Sequence, residues 1–436
     1  MSAGSARPET RMPQHETGFT MDASSIKFGL GMTEEVGYEV SRFGCRRVMV
    51  VTDERLAELP PVKTAMASIA KAGVEAVLFD RVRTEPSDST FLEAIRFATD
   101  GHFDGYVAVG GGSAMDTAKA ANLYATYPAD LLAYVNGPVG RAEPVPGPLK
   151  PLIAIPTTAG TGSETTGVAI FDFVAMGAKT GIAHRALRPV VGIIDPNNTQ
   201  TLPSMVAACS GLDVLCHGLE SYTALPFHQR EAPASPALRT TYQGANPISD
   251  IWAKRAVEMT AGNILPAIKD RDNAAARSEM LLAATYAGIG FGNSGVHLCH
   301  GMSYPVSSLV KAFRVDGYPD RPLVPHGMSV ILTAPAVFRW TASTNPGRHL
   351  DMAAAMGASI AGVPPEDAGE CLAAAVIALM RATGMPNGLA AIGYTKADVD
   401  RLVEGTAPQH RVTRLSPRPV TNAALQQLFL DSMVLW

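Results

Sequence analysis

The chain has 436 residues, of which 47% are hydrophobic and 17% are charged, and its formal net charge is −4. This composition is typical of a globular protein with a large core, and the length predicts two domains at about 100–200 residues each. The slightly acidic balance, without a cluster of Lys and Arg, argues against nucleic acid or an anionic membrane as a partner. The longest apolar run, 372–380, is about half as long as a membrane span requires.

The cysteines and the N-terminus indicate the compartment. There are five cysteines at irregular spacing and no CxxC pair, which argues against a disulfide framework and favours a reducing environment. The first 20 residues are polar and lack the apolar segment of a signal peptide. We therefore expect a cytoplasmic protein whose residues 1–24 form a flexible tail.

Short β-branched runs alternate with helical patterns through residues 25–200. The predicted strands are 46–53, 74–80, the apolar run that ends at Gly110, 151–158 and 189–196, and the predicted helices are 62–73, 89–101 and 114–125. Strands that alternate with helices of this length predict βαβ units and a parallel sheet. Residues 25–200 are therefore expected to form an α/β domain.

The pattern of hydrophobic residues changes from strand-like to helical after the turn-rich segment 196–203. Helical periodicity marks four long stretches, 250–270, 275–291, 348–360 and 367–384. Residues 201–436 are therefore expected to form an all-α domain. The stretch 226–247 is rich in Pro, Ala and polar residues and is expected to be a long loop between helices.

Two small-residue stretches follow strands and are candidates for binding phosphate. In the first, Gly110, Gly111 and Gly112 precede a helix, and Ser113 is expected to cap it. Glycines allow backbone N–H groups to approach a phosphate, and the helix N-terminus adds a partial positive charge. The pattern is not GxGxxG, so an ordinary tight strand-to-helix turn is the alternative.

The second stretch, "PTTAGTGSETT", offers the hydroxyl groups of Thr157, Thr158 and Thr161 after another strand. Asp53 ends an earlier strand, where a carboxylate is suited to a ribose 2′-hydroxyl and would favour NAD over NADP; a plain helix N-cap is the alternative. Because ligands of open α/β sheets lie beyond the carboxyl ends of the strands, the three features together predict a dinucleotide site.

Five residues in apolar or Gly-rich surroundings are candidates for the four ligands of a metal. Asp213 and His217, in "GLDVLCHGLESY", lie four residues apart and share one helix face. One carboxylate with imidazoles is a ligand set suited to Zn²⁺ or Fe²⁺. His326 and either His297 or His300 are the further candidates, and the residues alone do not decide between the last two. The alternative is that each histidine is a hydrogen-bonded core residue.

A metal beside a dinucleotide indicates an oxidoreductase. The metal would polarise an alcohol or carbonyl oxygen while hydride moves between the carbinol carbon and the nicotinamide. The substrate would then be a small molecule with an alcohol or a carbonyl group.

The motifs "GGGSAMDTAK", "PTTAGTGSE", "GLDVLCHGLESY", "HGMSYP" and "VPHGMS", in this order, resemble those of the group III, iron-containing alcohol dehydrogenases. The resemblance implies a dehydroquinate-synthase-like fold: an α/β nucleotide-binding domain and an all-α domain, with the metal in the cleft. It implies a homo-oligomer and iron or zinc together with NAD(H). The metal ligands that it implies are Asp213, His217, His300 and His326. The NAD-site residues that it implies are Asp53, Gly110, Gly111, Gly112, Ser113, Asp116, Thr157, Thr158, Thr161 and Lys179.

The stretches "GFGNSGVHLCHGMSYPVSSLVK", "YQGANPISDIWA" and "RPLVPHGMSVILTAPAVF" resemble more specifically the hydroxyacid–oxoacid transhydrogenases. That resemblance implies hydride transfer from 4-hydroxybutyrate to 2-oxoglutarate, which gives succinate semialdehyde and 2-hydroxyglutarate. The alternatives are an NAD-dependent alcohol dehydrogenase that releases NADH, a dehydroquinate-synthase-type lyase, and a metal- and nucleotide-binding protein without catalysis.

Tyr304 departs from the wider family, in which many members carry a histidine at this position, four residues after the implied ligand His300. Tyr304 is therefore a candidate proton relay, although a phenol is a weak base at neutral pH without tuning. A substrate carboxylate needs a cation, ideally an arginine. The sequence offers Arg230, Arg239, Lys311, Arg314 and Arg321. We expect at least one of these to reach the cleft, with Arg239 and Arg321 as the residues to test.

Overall fold

The computed structural model describes residues 15–174 and 178–436. Its centre is a six-stranded sheet in which every adjacent pair is parallel. Numbered in chain order, the order across this sheet is β1-β8-β5-β4-β2-β3. The six strands are β1 (Ser25–Phe28), β2 (Arg47–Val51), β3 (Glu75–Phe79), β4 (Gly105–Gly110), β5 (Leu152–Pro156) and β8 (Val191–Ile194). A separate antiparallel pair consists of β6 (Val168–Phe173) and β7 (Ala178–Ala183). The parallel sheet that the sequence predicts is confirmed.

Helices cover both faces of this sheet. They are α1 (Val36–Arg42), α2 (Glu54–Ala57), α3 (Pro60–Lys71), α4 (Asp88–Gly101) and α5 (Gly112–Thr126). Val48 and Val50 of β2 belong to the same apolar cluster as Ile69 of α3, whereas Met49 and Val51 belong to the cluster that contains Ala98 of α4. Alternate residues of one strand thus face opposite layers, which explains why the strands are apolar throughout.

The second half of the described chain is helical. Its helices are α6 (Ser204–Thr223), α7 (Pro247–Lys269), α8 (Ala274–Ser294), α9 (Leu298–Ser308), α10 (His326–Ile331), α11 (Ala334–Thr341), α12 (Pro346–Ala355), α13 (Ala368–Ala382), α14 (Val399–Thr406), α15 (His410–Thr413) and α16 (Asn422–Asp431). Helix α6 is almost entirely buried, and its apolar residues join one large core cluster with those of α7, α8 and α9. Within the described residues, no helix has the length and hydropathy that crossing a bilayer requires.

Residues 15–24 differ from the predicted tail. The backbone N–H of Thr20 donates to Gln243 Oε1 at 2.8 Å, and that of Asp22 donates to Asn293 Oδ1 at 2.9 Å. These contacts hold the segment against the helical half, and polar composition alone did not reveal them. Residues 1–14 of the predicted tail lie outside the described residues.

The loop predicted at 226–247 lies between α6 and α7 and contains two short 3-10 turns, Phe227–Gln229 and Pro236–Leu238. Hydrogen bonds from its backbone to the end of α8 anchor it: Gln243 N–H donates to Asn293 O and Gly244 N–H to Ser294 O, both at 2.8 Å. The loop is therefore fixed against the part of the chain that leads into α9.

Candidate active site

One cleft of about 680 Å³ joins the two halves of the described chain. Its walls include the carboxyl ends of β2, β4 and β5 on one side and residues of α6, α9 and α10 on the other. Most of the candidate site residues line this cleft. Gly110, Lys179 and Arg239 do not line it.

The two small-residue stretches meet at the sheet edge. Helix α5 begins at Gly112, with Gly111 as its extended N-cap. A Cβ atom on Gly112 would lie 2.6 Å from Thr161 Cγ2, and one on Gly111 would lie 3.2 Å from Thr158 Oγ1. Glycine is required at Gly112 because a side chain would force the two loops apart.

Ser113 does not cap α5, which corrects the prediction. It is the second residue of the helix, and its Oγ accepts a hydrogen bond from the backbone N–H of Glu85 at 3.2 Å. An extended glycine already makes the turn into the helix, so the serine hydroxyl is free to hold the neighbouring loop. Glu85 itself has a φ of 55°, a left-handed conformation that non-glycine residues rarely adopt.

Asp53 is the N-cap of α2, the alternative role that its sequence position allowed. Its carboxylate caps α2 by accepting from the backbone N–H groups of Arg55 at 3.0 Å and Leu56 at 3.1 Å. The residue also lines the cleft.

Asp116 takes part in a buried polar network that shapes the second loop. Its carboxylate accepts from Ser163 Oγ at 2.7 Å and from the backbone N–H of Ile170 at 3.0 Å. The fully buried Lys119 donates to Ser163 Oγ at 2.6 Å and to Val168 O at 2.8 Å. Burial lowers the pKa of Lys119 to about 8, even though Asp116 opposes that shift. Sequence reasoning missed Lys119, whose signal was a lysine three residues after Asp116 in an apolar helix.

Lys179 lies behind the cleft wall. Its Nζ contacts Glu85 at 2.5 Å and Asp172 at 3.1 Å. Burial disfavours its charge, but these two carboxylates raise its pKa above the ordinary value. Lys179 therefore acts on the cleft through Glu85, which does line it.

Three imidazoles converge on one carboxylate oxygen at the helical wall. Asp213 Oδ1 lies 3.8 Å from His217 Nε2, 3.5 Å from His300 Nε2 and 3.8 Å from His326 Nε2. Ligand atoms about 2.1 Å from a tetrahedral metal are separated by about 3.4 Å, so this spacing suits one metal ion. The donor atoms of Asp213, His217 and His300 all lie within 4.8 Å of one another.

Two of these atoms have no hydrogen-bond partner among the described residues. Asp213 Oδ1 and His300 Nε2 are both buried and unpartnered. Leaving a buried donor or acceptor unsatisfied costs about 1–3 kcal/mol. A cation at their meeting point would satisfy both, and the donor set therefore fits a divalent metal.

Glu220 orients the cluster from behind, and sequence reasoning missed it. Helix α6 carries Asp213, His217 and Glu220 at i, i+4 and i+7, so the three share one face. Glu220 contacts His300 Nδ1 and accepts from the backbone N–H of Cys299 at 2.7 Å. Burial would raise the pKa of Glu220, but the nearby histidines, the His300 contact and the Cys299 amide lower it to about 2. An ionised carboxylate at Nδ1 leaves Nε2 of His300 free to face Asp213.

His297 is turned away from Asp213. Its ring lies 3.0 Å from Thr223 Oγ1 through Nε2 and 3.2 Å from Glu220 Oε1 through Nδ1. Burial lowers the pKa of His297, although the negative charge of Glu220 acts to raise it. Of the two histidines that the sequence left open, the structure brings His300 to the cluster and gives His297 a supporting position.

Electrostatics around the cluster favours a cation. Burial lowers the pKa of His217 to about 3, so this imidazole is neutral at pH 7. Burial works against ionisation of Asp213, but the three histidines hold its pKa well below the usual range. Two ionised carboxylates, Asp213 and Glu220, therefore face a group of imidazoles in a buried site.

Beside the cluster, aromatic and cationic side chains complete the cleft. Phe291 stacks on His217 with ring centroids 3.9 Å apart. Tyr304 accepts a hydrogen bond at 2.6 Å from Nη2 of Arg411, a residue that sequence reasoning missed because "HRVTRL" carries no motif. Arg321 lines the cleft and donates to Thr84 O at 2.8 Å. Arg239 instead pairs with Glu16 at 2.9 Å.

Two protein-family models match most of the chain. The model described as iron-containing alcohol dehydrogenase matches residues 23–196, and the model of the C-terminal part of the Fe-containing alcohol dehydrogenase family matches residues 240–433. The chain belongs to the iron-containing alcohol dehydrogenase family. The predicted family and fold class are thereby confirmed.

Individual relatives cover nearly the whole chain. It is 53% identical over 421 residues to the mitochondrial hydroxyacid-oxoacid transhydrogenases of Bos taurus and Homo sapiens, which covers 96% of this chain and 90% of each relative. Among solved structures, 1,3-propanediol oxidoreductase matches with a TM-score of 0.82 at 27% identity, covering 95% of this chain and all of that one. An iron-containing alcohol dehydrogenase from Thermococcus thioreducens matches with a TM-score of 0.79 at 26% identity, covering 95% of this chain and 99% of that one.

The names of these transhydrogenases place those proteins in mitochondria. The comparisons therefore give no support to the cytoplasmic location that the sequence predicts.

Proposed function

We propose that this protein is a hydroxyacid–oxoacid transhydrogenase that moves a hydride from 4-hydroxybutyrate to 2-oxoglutarate. The observation that carries the proposal is a single cleft with the candidate dinucleotide edge on one wall and the Asp213 cluster on the other. Relatives named for this activity, 53% identical over 96% of the chain, support it. The products would be succinate semialdehyde and 2-hydroxyglutarate, so the exchange consumes no net cofactor.

We propose Asp213, His217, His300 and His326 as the ligands of one divalent metal. The unpartnered Oδ1 and Nε2 atoms support this assignment. Once bound, the metal would act as a Lewis acid on the substrate oxygen and NAD(H) would carry the hydride. The name of the family favours iron, while a set of three imidazoles and one carboxylate also accepts zinc.

The chain's own residues hold and orient the reactants. Gly111 and Gly112, with Thr157, Thr158 and Thr161, would bind the phosphates at the start of α5, and Asp53 would bind the ribose. Glu220 keeps His300 in the tautomer that directs Nε2 at the cluster. Phe291 covers one face of His217 and excludes water from that side.

Tyr304 is the proposed proton relay. Its hydroxyl oxygen accepts from Arg411, so its own O–H is free to point into the cleft. It lies four residues after His300 on α9, so both side chains project from the same face. This arrangement would pass a proton to or from the substrate oxygen beside the cluster.

The division into domains 25–200 and 201–436 and a homo-oligomeric state are also proposals. A cytoplasmic location is a further one. All five cysteines are free, which supports a reducing compartment of either kind, cytoplasm or mitochondrial matrix.

A coupled assay without added cofactor tests the function. Purified protein is mixed with 4-hydroxybutyrate and 2-oxoglutarate, and 2-hydroxyglutarate is measured while NAD is omitted. We expect product from the cofactor that the enzyme retains. Turnover that requires added NAD⁺ and accepts simple alcohols equally well would instead favour an alcohol dehydrogenase that releases NADH. Metal analysis of the same sample distinguishes iron from zinc.

A further inference from the structure

Arg411 is a half-buried residue of the cleft, and no carboxylate among the described residues forms an ion pair with it. Its Nη1 atom is buried and has no hydrogen-bond partner in the part of the chain that the structure describes. Its Nη2 donates to Tyr304 Oη at 2.6 Å, and its guanidinium lies 4.9 Å from the centre of the Tyr242 ring. Buried arginines are normally paired, so an unpaired one in a cleft indicates a ligand that brings the negative charge.

Other arginines that the sequence singles out are paired, exposed or, like Arg230, absent from the lining of the cleft. Arg239 pairs with Glu16, and Arg314 pairs with Asp320 at 2.7 Å. Arg321 lines the cleft, but its side chain is exposed and donates to a backbone carbonyl. Arg411 is thus the cleft arginine best placed to bind an anion away from bulk water.

We propose that Arg411 binds the substrate carboxylate that lies two methylene groups from the reacting carbon; this inference rests on the proposed function. 4-Hydroxybutyrate and 2-oxoglutarate differ in size, but each carries a carboxylate separated from its reacting carbon by two methylene groups. One fixed cation therefore serves both substrates in turn. Neutral alcohols gain nothing from it, so Arg411 determines the preference for acids.

The geometry of α9 agrees with this spacing. Tyr304, which holds Arg411, lies one helical turn after His300, a displacement of about 6 Å along the axis. Two methylene groups place a carboxylate carbon about 4 Å from the reacting carbon in an extended chain. A substrate whose oxygen lies at the Asp213 cluster is therefore long enough to bring its carboxylate to the Tyr304–Arg411 pair.

The loop 226–247 supplies the other wall of this subsite. Tyr242 comes from that loop, and it packs closely against Gly295, where a Cβ atom would lie 2.9 Å from Tyr242 Cβ. Gly295 has a φ of 93°, so glycine is required there for its conformation as well. The Tyr242 ring beside the guanidinium restrains the plane of that group, so its N–H donors are already oriented to bind a carboxylate.

The test compares two donors of the same length in a single turnover. Enzyme loaded with metal and NAD⁺ is mixed with 4-hydroxybutyrate or with 1,4-butanediol, in which a neutral CH₂OH group replaces the carboxylate, and reduction of the nicotinamide is followed. No acceptor is added, so only one substrate meets Arg411. Binding of glutarate, a dicarboxylate that cannot react, is measured in parallel by calorimetry.

Arg411→Gln is expected to weaken glutarate binding and the reaction of 4-hydroxybutyrate by about 100-fold, because a charge-assisted bidentate contact is lost. The reaction of 1,4-butanediol should slow by about tenfold at most, because the diol loses only the contact by which Arg411 holds Tyr304, so the acid should lose at least about tenfold more than the diol. Arg411→Lys keeps the charge but not the two parallel N–H donors of the guanidinium, so glutarate binding and the reaction of 4-hydroxybutyrate should each weaken by about tenfold. This variant provides the test if Arg411→Gln does not fold. Arg414→Gln, an exposed arginine three residues along, is the matched control.

Two results would overturn the proposal: unchanged glutarate binding in Arg411→Gln, or an equal loss for the acid and the diol, which would assign Arg411 a purely structural role. A wild-type enzyme that reduces its nicotinamide with neither donor would instead contradict the proposed function. In that case the glutarate titration still reports on Arg411.

Discussion

The two walls of the cleft differ in whether their buried charged groups have hydrogen-bond partners. On the sheet side, Lys119 has oxygen partners in Ser163 and Val168, with Thr166 Oγ1 at 3.4 Å and Asp116 nearby. On the helical side, Asp213 Oδ1 and His300 Nε2 meet without a partner among the described residues. The first network is complete and shapes a loop. The second is completed only by a ligand from outside, which is the physical reason for proposing a metal there.

Removing the central carboxylate of the helical wall should have the largest effect. Asp213→Ala is expected to lose metal and at least about a thousandfold in turnover, because a Lewis acid contributes several kcal/mol to the barrier. NAD binding should persist, since the sheet wall is untouched. Metal analysis and NAD titration of the variant check this, with the exposed Asp400→Ala as control. A variant that retains both metal and activity would refute the ligand assignment.

A change in the polar network of the sheet wall should lower the stability of the protein and leave its metal content unchanged. Lys119→Met removes the charged partner of a buried group and is expected to lower the free energy of unfolding by about 3 kcal/mol. Urea denaturation measures this change, and Lys396→Met is an exposed control. Loss of metal at unchanged stability would show that the two walls are not independent.

Glu220 tests whether the helical wall depends on the group behind it. Glu220→Gln keeps the shape but removes the charge that orients His300, so metal affinity should fall by about 10–100-fold. Competition against a chelator gives the dissociation constant. Glu404→Gln, on the exposed side of α14, should leave it unchanged. An unaltered affinity in Glu220→Gln would mean that His300 needs no support.

The smallest expected effect lies at the contact of the two loops. Gly112→Val places a side chain where Thr161 Cγ2 would be 2.6 Å from its Cβ, so the loops must separate. NAD should bind about tenfold more weakly, because a misplaced phosphate-binding loop loses one or two hydrogen bonds of about 1 kcal/mol each. Metal content should not change. Gly262→Val, a helical glycine with open space around its Cβ, is the control; equal NAD affinity in both variants would argue against phosphate binding here.

Local sequence patterns predicted the parts of the molecule that depend on local physics. Alternating strands and helices predicted the parallel sheet, and the spacing of Asp213 and His217 predicted one shared face. Strand β1 was not predicted, because it has only four residues and pairs with β8, which is distant in sequence. The β6–β7 pair was missed although its two six-residue strands are neighbours in sequence. The predicted capping role of Ser113 was wrong, because Gly111 is the N-cap of α5.

The sequence analysis missed two residues of the cleft, and only one of them carried a local signal. Glu220 could have been found from its i+7 spacing to Asp213 on the same face. Arg411 could not, because its contact with Tyr304 joins residues 107 positions apart in sequence. Its neighbours look like an ordinary surface helix until the fold places them at the cleft.

The central claim is that one cleft carries hydride between two acids, and isotope transfer tests it most directly. Enzyme without added NAD is given 4-hydroxybutyrate deuterated at the carbinol carbon together with unlabelled 2-oxoglutarate. Because both half-reactions would use the same face of one retained nicotinamide, we predict 2-hydroxyglutarate with deuterium at C2. Formation of 2-hydroxyglutarate without deuterium would contradict the account.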